Sequence, residues 1–155
     1  MRAAAFPVAA LLSVLSLGAA DAARAQFTTV PAPITVAYHE SAAETLVQYR
    51  HDAARHIYAT YPMRIYKGKL PPLMYAIAVV ETEIDERGQV VGVSVVREPA
   101  AAKEVTPWIV SMIRRAGPFP AMTRAAGHLR FSEVWLVNKN GKFQLDSLTE
   151  GQASE

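Results

Sequence analysis

The clearest alternation in the chain runs from Met74 to Asp85. It puts Ala78, Val80, Thr82 and Ile84 on one side of an extended segment and Ile77, Val79, Glu81, Glu83 and Asp85 on the other. Asp85-Glu86-Arg87-Gly88 reads as a turn, since Asp opens turns and glycine takes positive φ without a Cβ clash. Gln89 to Arg97 then returns as the second arm of a hairpin, but its valines fall at 90, 91, 93, 95 and 96. An extra residue near Val91-Gly92 restores the phase and predicts a β-bulge.

Helical spacing appears on either side of this hairpin. Ser41 followed by Glu44 predicts a capping box that opens a helix, along which Leu46, Tyr49 or Arg50, Ala53 and Ile57 recur until Tyr61-Pro62 ends it. A second helix is punctuated by Thr106 as cap, Pro107 at its first position and Gly117-Pro118 at its end. Its apolar face is Trp108, Ile109, Met112, Ile113 and Ala116.

Pro118-Phe119-Pro120 predicts an extended connection. From His128 to Val137 a third strand sets Leu129, Phe131, Trp135 and Val137 against Arg130, Ser132, Val134 and Leu136. Asn140-Gly141 supplies a tight turn into a short fourth strand, Lys142 to Leu145. The expected fold is α+β, a small antiparallel sheet of three to four strands with two helices packed on one face.

The N-terminus follows a different rule. Met1-Arg2 precedes an uncharged, Ala- and Leu-rich run from Ala3 to Ala20, and Ala23-Arg24-Ala25 places small residues where a leader peptidase reads them. The expectation is a signal peptide over residues 1–25, cleaved after Ala25 to leave a periplasmic or secreted protein. Membrane association follows only if the leader is retained. The expected organisation is an extended arm over 26–40, one domain over 41–148 and a flexible tail over 149–155, with Pro31 and Pro33 keeping the arm out of regular structure.

Losing Arg2, Arg24 and Asp21 with the leader takes Lys+Arg from 16 to 14 and Asp+Glu from 14 to 13. The resulting near-neutral balance gives no reason to expect nucleic acid as a partner. The chain has no cysteine, so packing rather than disulfides holds it and thiol chemistry is excluded.

Chemistry is sparsely advertised. The mature chain has no nucleophile motif and no phosphate-binding glycine loop, and His39, His51, His56 and His128 lack the i, i+4 spacing of zinc helices. No catalytic, metal or cofactor site is expected. Glu81, Glu83 and Asp85 share one strand face, which keeps open an alternative, a small secreted hydrolase or ligand-binding protein with raised carboxyl pKa values in a concave pocket. Trp108 and Trp135 both fall on apolar phases and are expected in the core.

Taken in order, Tyr61-Pro62, a Lys/Gly loop, the stretch Ala78 to Val95 with its Ile84-Asp85-x-x-Gly88-x-Val90 hairpin, an intervening helix and Pro118-Phe119-Pro120 resemble the C-terminal domain of TonB and TolA proteins. The resemblance covers Tyr61 to Val137. It implies a non-enzymatic periplasmic domain that binds an envelope or outer-membrane protein by edge-strand pairing, and it carries over only structural positions: Val80, Ile84, Asp85, Gly88, Val90, Val93 and Val95. A long Pro/Lys-rich spacer and a retained membrane helix, usual in that family, are not expected here, which implies a stand-alone relative. The candidate docking edge is Leu129 to Val137, with Arg130, Ser132, Val134 and Leu136 as partner-binding residues.

Overall fold

A computed structural model describes residues 18–153. Its elements are α1 (Ala19–Ala25), β1 (Glu40–Ser41), α2 (Leu46–Thr60), β2 (Ala76–Ile84), β3 (Val90–Arg97), α3 (Val105–Ala116), β4 (Ala121–Met122), β5 (Leu129–Val137) and β6 (Phe143–Leu145). Four strands form an antiparallel sheet in the order β3-β2-β5-β6, and β1 pairs in parallel with β4 beside it. The fold is α+β, as the residue pattern predicts. No helix among the described residues is long and apolar enough to cross a membrane. Most of the expected leader lies outside the described residues.

The alternation of β2 is realised as buried Ala76, Ala78, Val80, Thr82 and Ile84 beneath the helices. On β5 the same face carries Phe131, Glu133, Trp135 and Val137, and β2 pairs with β5 without interruption from Ala76↔Val137 to Ile84↔Leu129. Both tryptophans are in the core. The expected bulge in β3 is present, because Ile84↔Val90 is followed by Glu83↔Gly92 and leaves Val91 without a counterpart. A second bulge leaves out Val96, between Val80↔Val95 and Val79↔Arg97.

Three boundaries differ from the expectation. The first helix starts at Leu46, not near Ser41, because Thr45 and Gln48 form the reciprocal capping box. Ser41 is drawn instead into the β1–β4 pairing, and its hydroxyl donates to Asp52 Oδ2 at 2.7 Å. The second helix starts at Val105, before the expected cap, with Thr106 buried in its first turn and Pro107 still early enough to be tolerated. The tail is also ordered to Ala153: Leu70 N–H donates to Gly151 O and Ala153 N–H donates to Leu70 O, both at 2.8 Å. The expected arm is strapped to the domain by Phe27, buried between a stacked Tyr75 (5.6 Å) and an edge-on Trp108 (5.2 Å).

Two tyrosines tie the helices to their surroundings. Tyr61, the residue that closes α2, donates its hydroxyl to Met112 O in α3 at 2.9 Å, and Tyr49 donates to Pro120 O at 2.8 Å. Burial pushes the Tyr61 phenol up to about 12 and that of Tyr49 higher still.

Candidate protein-interaction surface

A four-stranded sheet has two edges, and here they are treated differently. Ile65 bridges Phe143 along the outer side of β6, and Tyr66 N–H donates to Phe143 O at 2.9 Å. Gln144, 1 % exposed, locks this cover in place. Its Nε2 donates to Tyr66 O (2.9 Å) and Gly68 O (2.7 Å), while its Oε1 accepts from Thr149 Oγ1 (2.9 Å) and Glu150 N–H (3.1 Å). The β6 edge is therefore closed by two segments of the same chain.

The opposite edge is β3, whose neighbour in the sheet is β2 alone. Asp85 N–H donates to Gln89 O at 3.0 Å at the hairpin end, which fixes the alternation of the ladder. Glu83 and Glu81 thereby face Gly92 and Ser94, and the backbone groups of Val93 and Val95 point away from the sheet. Val91, Val95 and Val96 are exposed along this strand, Val96 to 63 %. An unpaired strand with apolar side chains is a template for another extended chain.

β5, the predicted docking strand, pairs along its whole length with β2 but with β6 only from Trp135 to Val137, so residues 129–134 have no strand partner on the β6 side. The sequence pattern had no means of ordering the strands, which follows from the crossover through α3. Arg130, Ser132, Val134 and Leu136 do come together, as one row on the sheet face away from the helices, opposite Glu83, Glu81, Val79 and Ile77.

Their backbones carry a further detail. Asn138 N–H donates to Lys142 O (2.9 Å), so by alternation Leu136, Val134, Ser132 and Arg130 turn their N–H and C=O groups toward the β6 side. β6 reaches only Leu136, and at the next position Glu133 Oε1 takes over, accepting from Val134 N–H at 3.0 Å and Ser147 N–H at 3.2 Å. This carboxylate is 6 % exposed and also meets Arg50 at 3.4 Å. A side chain thus takes up the first outward amide where the strand partner ends.

The acidic face does not match the alternative of a raised carboxyl in a pocket. Asp85 leaves the row to hold the turn, its Oδ1 accepting from Arg87 and Gln89 N–H at 2.8 Å each. The hydrogen bond from His128 Nδ1 at 2.9 Å holds the Glu83 carboxyl below its usual range, and Arg130 at 3.1 Å pulls the same way. Gly92 leaves room for this cluster, since a Cβ there would stand 3.3 Å from Glu83 Oε2. Among the described residues no group of three or more His, Asp or Glu side chains is placed to hold a metal ion.

β3 is an edge strand that the residue pattern did not single out. Its valines at 90, 91, 93, 95 and 96 break phase because of the two bulges, and no local pattern shows that the strand lacks a second neighbour. No protein-family model, no curated protein and no solved structure matches the chain.

Proposed function

We propose that this protein is a non-enzymatic interaction module of the cell envelope, exported by a leader that ends at Ala25, which binds an extended segment of an envelope or outer-membrane protein by strand addition. The reading follows the resemblance of Tyr61 to Val137 to the C-terminal domain of TonB and TolA. The observation that carries the reading is the asymmetry of the sheet: the β6 edge is covered by the chain itself, while β3 keeps outward-facing backbone at Val93 and Val95 beside exposed Val91 and Val96. The bulges at Val91 and Val96 leave Gly92 to Val95 as the regular run, so the added strand is short. The acidic-face hydrolase has less support, since Glu83 is held ionised by His128 and Arg130.

The test is capture of envelope proteins by the chain from Gln26 to Glu155, with Val93→Pro and Val134→Glu variants compared. Proline at 93 removes an outward N–H and leaves the β2–β3 ladder intact, so it blocks the edge with little damage to the fold. Strand addition at β3 requires that Val93→Pro loses the partner and Val134→Glu keeps it. The reverse pattern assigns docking to the outer sheet face, and recovery of the same proteins by both variants at wild-type levels removes the proposal.

A further inference from the structure

The loop before β2 brings an apolar tip and a set of unpaired cations to one end of the sheet. Leu73 is 86 % exposed, the most open of the large apolar side chains among the described residues. It borders an open recess of about 470 Å³, together with Tyr66 and Tyr75 from the same loop and Lys139 from the turn after β5. Lys67 and Lys69 flank Gly68 in that loop, Lys142 follows the turn, and Arg64 Nη1 lies 3.1 Å from where a Cβ on Gly141 would stand. The four lysines are exposed, and none of these five cations is in an ion pair among the described residues.

Two carboxylates share the region: Glu150, which accepts from Gly68 N–H at 3.2 Å, and Glu104, which accepts from the Tyr75 hydroxyl. A cationic excess is thus gathered at one end of a chain whose net charge is only +2. At the far end of β2, about 26 Å away at roughly 3.3 Å per residue, Glu83 is paired with His128 and Arg130, and Asp85 and Glu86 stand beside Arg87.

An exposed leucine among uncompensated lysines suits a bilayer surface, where the alkyl group enters the headgroup region and the ammonium groups meet lipid phosphates. A small soluble anion gains nothing from Leu73. The course of the chain favours the same occupant: the uncharged run from Ala3 to Ala20 leads into α1, whose Ala22 and Ala23 share a second hollow with Lys139 and Asn140. A precursor held in a membrane by that run presents this end to it.

We propose that this end of the domain is a seat for an anionic lipid surface, with Leu73 inserted among the headgroups and Lys67, Lys69, Lys139 and Lys142 on their phosphates. The contact does not need the leader, so a processed chain also reaches the bilayer, and it does not rest on strand addition at β3. Seated in this way, the β2–β3 hairpin runs away from the bilayer and its β3 edge stays open to a partner.

The chain has no cysteine, so Leu73→Cys and Arg87→Cys each take a single nitroxide label. The exported protein is used as recovered, with or without its leader, because the label reads its own surroundings and not only retention on the vesicle. The vesicles are phosphatidylcholine alone or phosphatidylcholine and phosphatidylglycerol at roughly two to one. On the anionic vesicles the label at 73 should gain contact with dissolved oxygen and lose contact with a water-soluble nickel relaxant, while the label at 87 stays in water. Neither label should leave water on phosphatidylcholine alone. Lys67→Glu with Lys139→Glu, added to the chain labelled at 73, should lower its insertion by at least about twentyfold, at about fivefold per charge, with an unchanged circular dichroism spectrum. Insertion that ignores the two glutamates belongs to the label and overturns the proposal. A label at 73 that stays in water on anionic vesicles overturns it too, even where the protein is retained, since the cations then serve a soluble anion. Equal immersion at 73 and 87 overturns the orientation.

Discussion

The amide of Phe119 donates to the carbonyl of Gly88 at 2.8 Å, and a Cβ on Gly88 would stand 1.9 Å from the Phe119 carbonyl oxygen. The hairpin turn and the segment after α3, distant in sequence, thus meet backbone to backbone. Two features that the sequence offered separately, the Asp85-x-x-Gly88 turn and Pro118-Phe119-Pro120, are one contact. Gly88 is required there twice, by its φ of 76° and by the approach of Phe119.

Gly88→Ala is accordingly expected to cost at least about 3 kcal/mol, the sum of left-handed strain and displaced backbone. Gly68→Ala isolates the strain, because Gly68 has a φ of 82° with nothing within 4 Å of its added Cβ. It should cost about 1 kcal/mol. Urea unfolding of both variants separates the contributions, and equal losses would show that the Phe119 contact carries no energy.

His56 sets a pH limit. Its ring is 5 % exposed, Nε2–H donates to Ala116 O at 2.7 Å, and Nδ1 is buried with no hydrogen-bond partner. Burial pushes its pKa below the ordinary 6.5, against the pull of the Ala116 carbonyl, and the neighbouring His39 lowers it further. The folded state therefore refuses a proton that the unfolded chain accepts. This contribution is intact above 6.5 and is lost as pH falls from there to the depressed folded value. Stability measured between neutral and mildly acidic pH should decline in the wild type and decline less in His56→Gln, which keeps a donor for Ala116 O. Parallel curves would show that His56 is not the source of the decline.

The buried tyrosines report from the alkaline side. Tyr61 is raised from 10.0 to about 12, so its contribution is present below 10 and is lost as pH climbs toward the folded value. Phenolate absorbance should show Tyr61 and Tyr49 ionising only with unfolding. Tyr61→Phe, which gives up the bond to Met112 O, should cost about 1 kcal/mol by urea titration and remove part of that delayed absorbance.

The local periods made much of this architecture legible. Alternation set the buried faces of β2 and β5, and the 3.6-residue period set the face of α3 from Trp108 to Ala116. Capping was less specific: Ser41-x-x-Glu44 and Thr45-x-x-Gln48 satisfy the same rule four residues apart, and the pairing of β1 with β4 decided between them. Strand order was out of reach, because it depends on a crossover whose geometry no local pattern encodes. That is why Arg130, Ser132, Val134 and Leu136 were correctly grouped on one face, while the extent to which β6 covers their strand, from Trp135 to Val137 alone, was not legible. The tail read as polar and loose because its anchor, Gln144, acts through hydrogen bonds that leave no hydrophobic period.

That anchor yields the last prediction. Gln144→Leu keeps the volume of a core residue and removes the donors to Tyr66 O and Gly68 O and the acceptor for Thr149 and Glu150. The stranded partners lie near the surface and regain water by letting the cover open, so the expected loss is about 2 to 3 kcal/mol, concentrated locally rather than spread through the core. Hydrogen exchange should accelerate at the amides of Tyr66, Leu70 and Ala153, while those of β2 stay protected. Opening that cover bares Phe143 to Leu145 beside the uncovered part of β5, and a sheet open along both sides can add copies at each of them. The variant should therefore form concentration-dependent oligomers in sedimentation experiments, and Val93→Pro in the same chain should stop growth at the dimer. A monomeric Gln144→Leu protein with faster exchange at Leu70 would mean that the β6 edge is protected by shortness alone and that the clasp serves only stability.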